Sequence, residues 1–453
     1  MLFRFSLYGF LKNQRYFEPF LLLFLLDKGL NYFWIGLLIG FGQVCVNVME
    51  VPTGAIADLY GRRRCMVLSM ASYILSFLIF AYSREVWQLF AAMLLFGIGD
   101  AFRTGTHKAI ILDWLRSQGR QDEKTRTYGY TRSWSKIGSA LSAVIGAGVV
   151  LYTVAVLGQN RITEWLFLLA VVPYVVNVVN LWSYPRYLDG DRRASVALGP
   201  VFRHLKAAAR QVIRRADMRR LLAESMAYEG IYAAVKDYLQ PVLKALAVVG
   251  LAAGLLRPLA AKLADAGLHV GADGGSGRAA IVLAAVMIAP VYFALEIVSS
   301  VASRLSHRFA ARFGGEEGAA RRLWRVWVII FALMTPLLYM KAYVAIALGF
   351  VALAAVQNLW RPVQVSRYDS HSHADFGATI LSVDSQAKAL TTAIVAPLLG
   401  LCIDLASPGV AAAKVAEKNF WPIGVVGLAV GVVMVFVCRR DLAPPEVLDG
   451  APG

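Results

Sequence analysis

The chain has 453 residues, 58% of them hydrophobic and 17% charged, and a mean hydropathy of +0.57. Those values lie outside the range of an ordinary soluble globular domain. The net charge of +17 would suggest a nucleic-acid surface if it were spread over a soluble fold, but it sits on alternate joints between apolar runs, which points to a polytopic membrane protein without a nucleic-acid partner.

Apolar runs of about 20 residues, the length that crosses a bilayer as a helix, predict an all-α protein with twelve transmembrane spans. Span 1 (5–26) is retained rather than cleaved, because Lys12, Arg15 and Glu18 interrupt it and no small-residue cleavage site follows. As one continuous helix it would set those three charges in one arc of about 120°. Span 2 (31–56) places Gln43, Asn47, Glu50 and Gly54 on one face and runs into EVPTGAIADLYGRRR. Span 3 (66–83) is plain. Span 4 (87–113) groups Asp100, Arg103, Thr104 and His107. Span 5 (128–152) stacks Arg132, Ser135, Lys136, Ser139 and Ser142, and its small residues Gly138, Ser142, Gly146 and Gly148 predict close helix packing. Span 6 (164–184) carries Asn177 and Asn180, expected to hydrogen-bond between helices.

A basic stretch then divides the chain. From 186 to 220 there are ten Lys and Arg against three acids at helical spacing, so 186–218 is expected to be an amphipathic linker on the membrane surface. Span 7 (219–243) stacks Ser225, Glu229, Tyr232 and Lys236, and a Gly-rich insertion follows at 245–278. Spans 8 to 12 are expected at 280–302, 326–341, 342–360, 377–404 and 420–438, with a tail at 441–453. Asp384 falls in span 11. The domains expected are a six-helix bundle at 1–185 and a second at 219–440.

Arg62–Arg64, Arg116–Arg126, the linker and the run from Arg304 to Arg325 are the basic joints. By the positive-inside rule they face the cytosol, as do both termini, while the insertion lies outside. Cys45, Cys65, Cys402 and Cys438 are scattered, and the HxH at His371 and His373 has no third ligand nearby, so no disulfide framework, metal site or cofactor is expected.

The two halves echo each other. EVPTGAIADLYGRR from Glu50 aligns with EIVSSVASRLSHRF from Glu296, pairing Glu50 with Glu296 and Arg62 with Arg308. RYFEPFL from Arg15 aligns with DYLQPVL from Asp237, YGYTRSWSK from Tyr128 with FGATILSVD from Phe376, and AFR at Ala101 with LWR at Leu359. Duplicated halves are a transporter architecture.

GAIADLYGRRR resembles the signature loop between the second and third helices of the major facilitator superfamily, and twelve spans, a basic central linker and a degraded second copy extend the resemblance over about residues 1–440. The resemblance implies alternating access by two rocking bundles. It also implies that Gly54 permits close packing, Asp58 makes state-dependent contacts at a cytoplasmic gate, Gly61 allows the turn, and Arg62, echoed by Arg308, pairs acids or helix ends. Span 5, GSALSAVIGAGVV, lacks the proline of the family's antiporter pattern, which argues against drug efflux.

An ionisable group inside hydrocarbon costs at least about 2.5 kcal/mol, so it usually faces a partner or a cavity. The substrate and coupling candidates are therefore Lys12, Arg15, Glu18, Asn47, Glu50, Asp100, Arg103, His107, Arg132, Lys136, Glu229, Tyr232, Lys236 and Asp384. Arg15–Glu18 and Asp100–Arg103 could neutralise each other locally, whereas Lys12, Arg132, Lys136 and Glu229 have no obvious local partner. Asp113, Lys108 and Glu224 are expected at the interface. No phosphate-binding loop or hydrolase motif occurs. The expectation is a monomeric secondary transporter of the bacterial inner membrane, not an enzyme, that contacts membrane lipids and moves a small solute bearing an anionic group with protons. The alternatives are an exporter of amphipathic compounds, with Trp134 and Tyr232 as aromatic wall, and a transport-inactive receptor or scaffold.

Overall fold

The computed structural model describes the backbone of residues 1–103, 106–120, 123–158, 162, 164–189, 215–265, 276–371 and 377–439. The surroundings of Gly54 and the side chain of Asp58, together with Thr104, most of the linker, the centre of the insertion, His373 and the tail, lie outside the described residues.

Every regular element described is helical. The first half comprises α1 (Leu2–Lys12), α2 (Leu21–Asp27), α3 (Tyr32–Tyr60), α4 (Arg62–Tyr82), α5 (Val86–Arg103), α6 (Thr106–Ser117), α7 (Lys124–Leu151) and α8 (Trp165–Trp182). The second comprises α9 (Ala216–Ser225), α10 (Ile231–Val235), α11 (Leu239–Ala252), α12 (Arg257–Asp265), α13 (Ser276–Arg312), α14 (Gly315–Tyr339), α15 (Tyr343–His371), α16 (Gly377–Leu405) and α17 (Trp421–Val437). Among the described residues nine helices are long and apolar enough to cross a membrane, and the segment 216–265, bent by 94°, makes a tenth. The two-piece segment α1–α2 and the shorter apolar helix α17 take the first and last places of the expected twelve.

Span 1 is not one helix. It breaks at residues 13–17 and resumes through a 3₁₀ turn, Glu18–Phe20. Asn13 donates to Gly9 O and Ser135 O, both at 2.9 Å, and Gln14 donates to Gly138 O at 3.2 Å, so the break is pinned to α7 by side-chain amides. Pro19 then contributes no N–H to a continuing ladder. Lys12, Arg15 and Glu18 consequently do not share an arc. The corresponding stretch of span 7 is irregular too, with a π turn at Met226–Gly230 and a 3₁₀ turn at Lys236–Tyr238. The aligned stretches RYFEPFL and DYLQPVL thus mark interrupted helices in both halves, and interrupted helices are where transporters place polar groups at mid-membrane depth.

Two further boundaries differ from expectation. The insertion begins as helix, because α11 runs to Ala252 and α12 follows, and the apolar run of span 8 continues as an amphipathic helix to Arg312. Asn177 donates to Tyr8 O at 3.4 Å and Asn180 to Arg4 O at 3.1 Å, binding α8 to α1.

The two halves meet through α3 against α16 and α7 against α13. At the end of the bundle where α3 begins and α16 finishes, the contact is backbone to backbone. A Cβ at Gly36 would overlap the carbonyl of Ala396, and one at Gly400 would overlap that of Tyr32. Polar latches cross at the same end: Lys244 to Asp27 at 3.4 Å, Phe33 N donating to Asp404 at 3.0 Å, and Gln240 accepting from Leu22 N at 2.8 Å while donating to Glu18 O at 3.0 Å. This end is sealed. A side chain at Gly400 should wedge it open, because the clash is with backbone that cannot rotate away. In Gly400→Val, with the four native cysteines replaced and Ala396→Cys as reporter, an impermeant maleimide should react several-fold faster than in the Gly400 parent; equal rates would contradict the wedge.

Candidate functional site

Three connected cavities open away from the sealed end. The vestibule, about 870 Å³, lies between α1, α5, α6 and α7, and its basic lining residues are Lys12, Arg103, Lys108, Arg132 and Lys136. No carboxylate stands among its described lining residues. A central cavity of about 310 Å³ shares Asn13 and Ser139 with it and reaches Arg15, Glu18, Tyr232, Lys236, Asp237 and Glu296. The third, about 540 Å³, shares Arg132 with the vestibule and contacts Arg361, Tyr368 and Asp369 of the second half.

A hub of buried charge stands behind the vestibule. Asp100 accepts from Arg103 at 2.5 Å, from Arg15 at 3.3 Å, and from the Tyr73 hydroxyl. Arg15 also donates to the hydroxyls of Tyr174 and Tyr73, each at 3.1 Å, and Tyr174 donates to Lys12 O at 2.6 Å. Arg15 therefore pairs with Asp100 rather than with Glu18, contrary to the local pairing considered for it, because the break in span 1 removes the i, i+3 geometry of an unbroken helix. Asp100–Arg103 does form the i, i+3 pair. Two arginines share one carboxylate, so the hub retains positive charge facing the cavity. His107 stacks on Tyr8 with ring centroids 3.9 Å apart, and the Lys12 ammonium lies 6.0 Å from the Tyr8 ring.

The second half answers with a balanced cluster. Arg361 bonds Glu229 at 2.9 Å and Asp384 at 3.1 Å; Lys388 bonds the same two carboxylates at 3.0 and 2.7 Å; Tyr368 donates to Asp384 at 3.0 Å. Glu229 thus has two partners where none was expected. Lys136 is also paired, to Glu296 at 2.5 Å, an ion pair between the halves. Arg361 and Lys388 were missed as site residues. Their signal was the same as for the others, a cation inside an apolar run, and Arg361 had been aligned with Arg103.

The remaining candidates disperse. Glu50 and Asn47 are not among the described cavity-lining residues, and Asn47 donates to Gln43 O at 2.7 Å within its own helix. The face of span 2 therefore does not join the cavity here, since α3 turns toward α5 and α16. Trp134 packs edge-on against Phe3 and Phe10, away from the wall expected of it, while Tyr232 lines the central cavity. Lys236 lies 3.6 Å from Asp237. Gly138 and Gly146 do pack closely, on Phe10 O and Tyr16 O, but Gly148 faces open space.

In the loop motif Gly61 has φ +97°, a conformation open to glycine, and it ends α3 and starts α4. Arg62 is bonded to Asp113, which also lies 3.6 Å from Arg116, so Asp113 is a partner in a pair rather than a snorkelling or capping group. Arg308 is exposed near the end of α13. Glu224, expected at the interface, is fully buried against Arg367 at 2.6 Å and Arg220 at 2.9 Å, with Glu317 closing the cluster at 2.6 Å from Arg367. Lys108 is the interfacial candidate that instead lines the vestibule.

Comparison with known proteins supplies the rest. Segments of the chain are similar to two curated relatives, each called multidrug resistance protein MdtH. That of Proteus mirabilis is 23% identical over 174 residues, 37% of this chain and 40% of the relative. That of Yersinia enterocolitica is 25% identical over 165 residues, 36% and 38%. The matches thus span about two fifths of those relatives' length. Among solved structures the fold is similar to the nucleoside transporter NupG, with TM-score 0.73 and 10% identity over 96% of this chain and 98% of that one. It is also similar to a POT family transporter in complex with 5-aminolevulinic acid, with TM-score 0.65 and 12% identity over 97% and 96%. The profile described as Major Facilitator Superfamily matches residues 13–383, and with the helical fold this shows that the chain belongs to that superfamily of membrane transporters.

Proposed function

We propose that the protein is a secondary active transporter, proton-coupled, for a small solute bearing an anionic group, and that it works as a monomer by alternating access. The observation that carries this reading is the vestibule wall of five cations without a described carboxylate. Asp100 offsets part of the Arg15 and Arg103 charge and Glu296 offsets Lys136, but Lys12, Lys108 and Arg132 have no described acidic partner. A low-dielectric recess with uncompensated cations selects anions. The basic joints support a cytoplasmic vestibule, cytoplasmic termini and an outward-facing sealed end in a bacterial inner membrane. Arg62 and Asp113 then stand at the gate on the vestibule side, where the family resemblance would also put a role for Asp58.

Proton coupling is assigned to Glu229 and Asp384. The two carboxylates share Arg361 and Lys388 within the second half, and Arg361 lines the adjacent cavity. A solute there that engages Arg361 leaves Lys388 alone beside two like charges, which favours proton uptake by one of them. In proteoliposomes, Glu229→Gln should exchange an anionic solute like wild type yet fail to accumulate it against a pH gradient. Wild-type accumulation would remove the proton role.

A second reading, export of amphipathic compounds, is favoured by the aromatic face of Phe5, Tyr8, His107 and Tyr128 in the vestibule and by the name of the MdtH relatives. Resistance of expressing cells to neutral or cationic drugs would select it over the first.

A further inference from the structure

The three cavities are not alike in charge. The charged groups described in the vestibule lining are all basic, whereas in the central cavity Arg15 and Lys236 stand against Glu18, Asp237 and Glu296. The two share Asn13 and Ser139, so one extended solute can occupy both. We propose that the solute is an elongated zwitterion, its anionic end among Lys12, Lys108 and Arg132 and its ammonium end between Glu18 and Ser142.

Three observations carry the ammonium end. The Glu18 side chain is exposed to the central cavity and makes no described ion pair, and the guanidinium of Arg15, which lines the same cavity, is held by Asp100. Asp237 stays beside it with Lys236, so the carboxylates outnumber the free cations there. The Ser142 hydroxyl oxygen is buried in the wall of the same cavity with no hydrogen-bond partner. A buried hydroxyl without a partner costs about 1–3 kcal/mol and is satisfied by a donor that enters. An ammonium brings three donors, and the rings of Tyr232 and Tyr292 in the wall suit a cation.

The spacing sets the length. Arg132 and Lys136 of α7 line the vestibule and Ser142 the central cavity. Lys136 is paired with Glu296, so the α7 member of the anion site is Arg132, about 15 Å from Ser142 along the axis at the helical rise, a gap that its long side chain shortens by several ångströms. An α-amino acid is too short to join them. A chain as long as roughly three extended peptide residues reaches.

This inference rests on the anionic-solute reading, and its test separates the two. Purified protein is titrated with 8-aminooctanoate, with its N-acetyl derivative and with 4-aminobutyrate, in sodium chloride and in choline chloride, and binding is read by calorimetry and thermal stabilisation. The expected result is that 8-aminooctanoate binds about tenfold or more tightly than either other compound, in both salts, since losing one charged hydrogen bond costs that factor or more. Glu18→Gln should lower its affinity to that of the N-acetyl derivative, whose own affinity stays unchanged; Ser142→Ala should lower the first by a smaller factor. Equal binding of the parent and N-acetyl compounds would overturn the zwitterion while leaving the anion reading in place. Binding that requires sodium would make the Glu18 site a metal-cation site and also overturn it, as would no binding of 8-aminooctanoate. Parent binding that survives loss of Lys12 and Arg132 would sink the anion reading instead.

Discussion

Replacing Lys12 and Arg132 together with alanine should weaken binding of an anionic solute by about 100-fold or more. Each supplies a charged donor to the vestibule, and such hydrogen bonds contribute about 1.5–3 kcal/mol apiece, where 1.4 kcal/mol is a factor of ten. Neither side chain makes a described ion pair; Lys12 rests near the Tyr8 ring and Arg132 is exposed to two cavities. The melting temperature of the purified protein should therefore stay close to wild type while affinity collapses. Undiminished affinity in a folded double variant would remove the anion site.

The largest stability effect is expected in the second half, away from the solute. Arg367 is almost wholly buried and holds Glu224 and Glu317, and Glu224 is buried completely. Arg367→Met leaves the Glu224 carboxylate with Arg220 as its only described cationic partner. Removing one member of a buried pair typically costs about 3–5 kcal/mol. A large fall in melting temperature should follow, and Glu224→Gln added to it should recover part of the loss by removing the stranded charge. Melting curves of the single and double variants check this; a single variant that melts like wild type would show that the cluster contributes little.

The overall architecture was legible because the bilayer imposes it. Apolar runs of spanning length and the basic joints follow from the cost of leaving backbone polar groups or charges in lipid, and the repeat at Glu50 and Glu296 follows from the duplicated halves. What the runs hid was the break in span 1. A length-based reading counts Asn13, Gln14 and Pro19 as interruptions to be tolerated, whereas the amides bond across to α7 and stop the helix there. The clue lay in the repeat itself, since RYFEPFL and DYLQPVL would not both put a proline in a helix without purpose.

The intramembrane charges were legible as important but not as pairs. Arg15 finds Asp100, and Glu229 finds Arg361, across 85 and 132 residues of chain. Spacing along one helix cannot report such partners, and it favoured Arg15–Glu18 because i, i+3 neighbours face each other in an unbroken helix. Glu50 misled for a related reason. Helical periodicity identifies a polar face, yet which neighbour that face meets depends on the rotation of α3 between α5 and α16.

Alternating access with one end sealed is the central claim, and paired-label distances by pulsed electron resonance in liposomes test it most directly. One label pair spans the sealed end at Trp34 and Leu405, the other spans the vestibule end at Arg116 and Ser370; all four positions are exposed. In wild type the first distance should be short and the second long. In Gly400→Val the first should lengthen and the second shorten, because the halves rock about their contact rather than separate. Both distances lengthening together, or neither responding, would contradict the account.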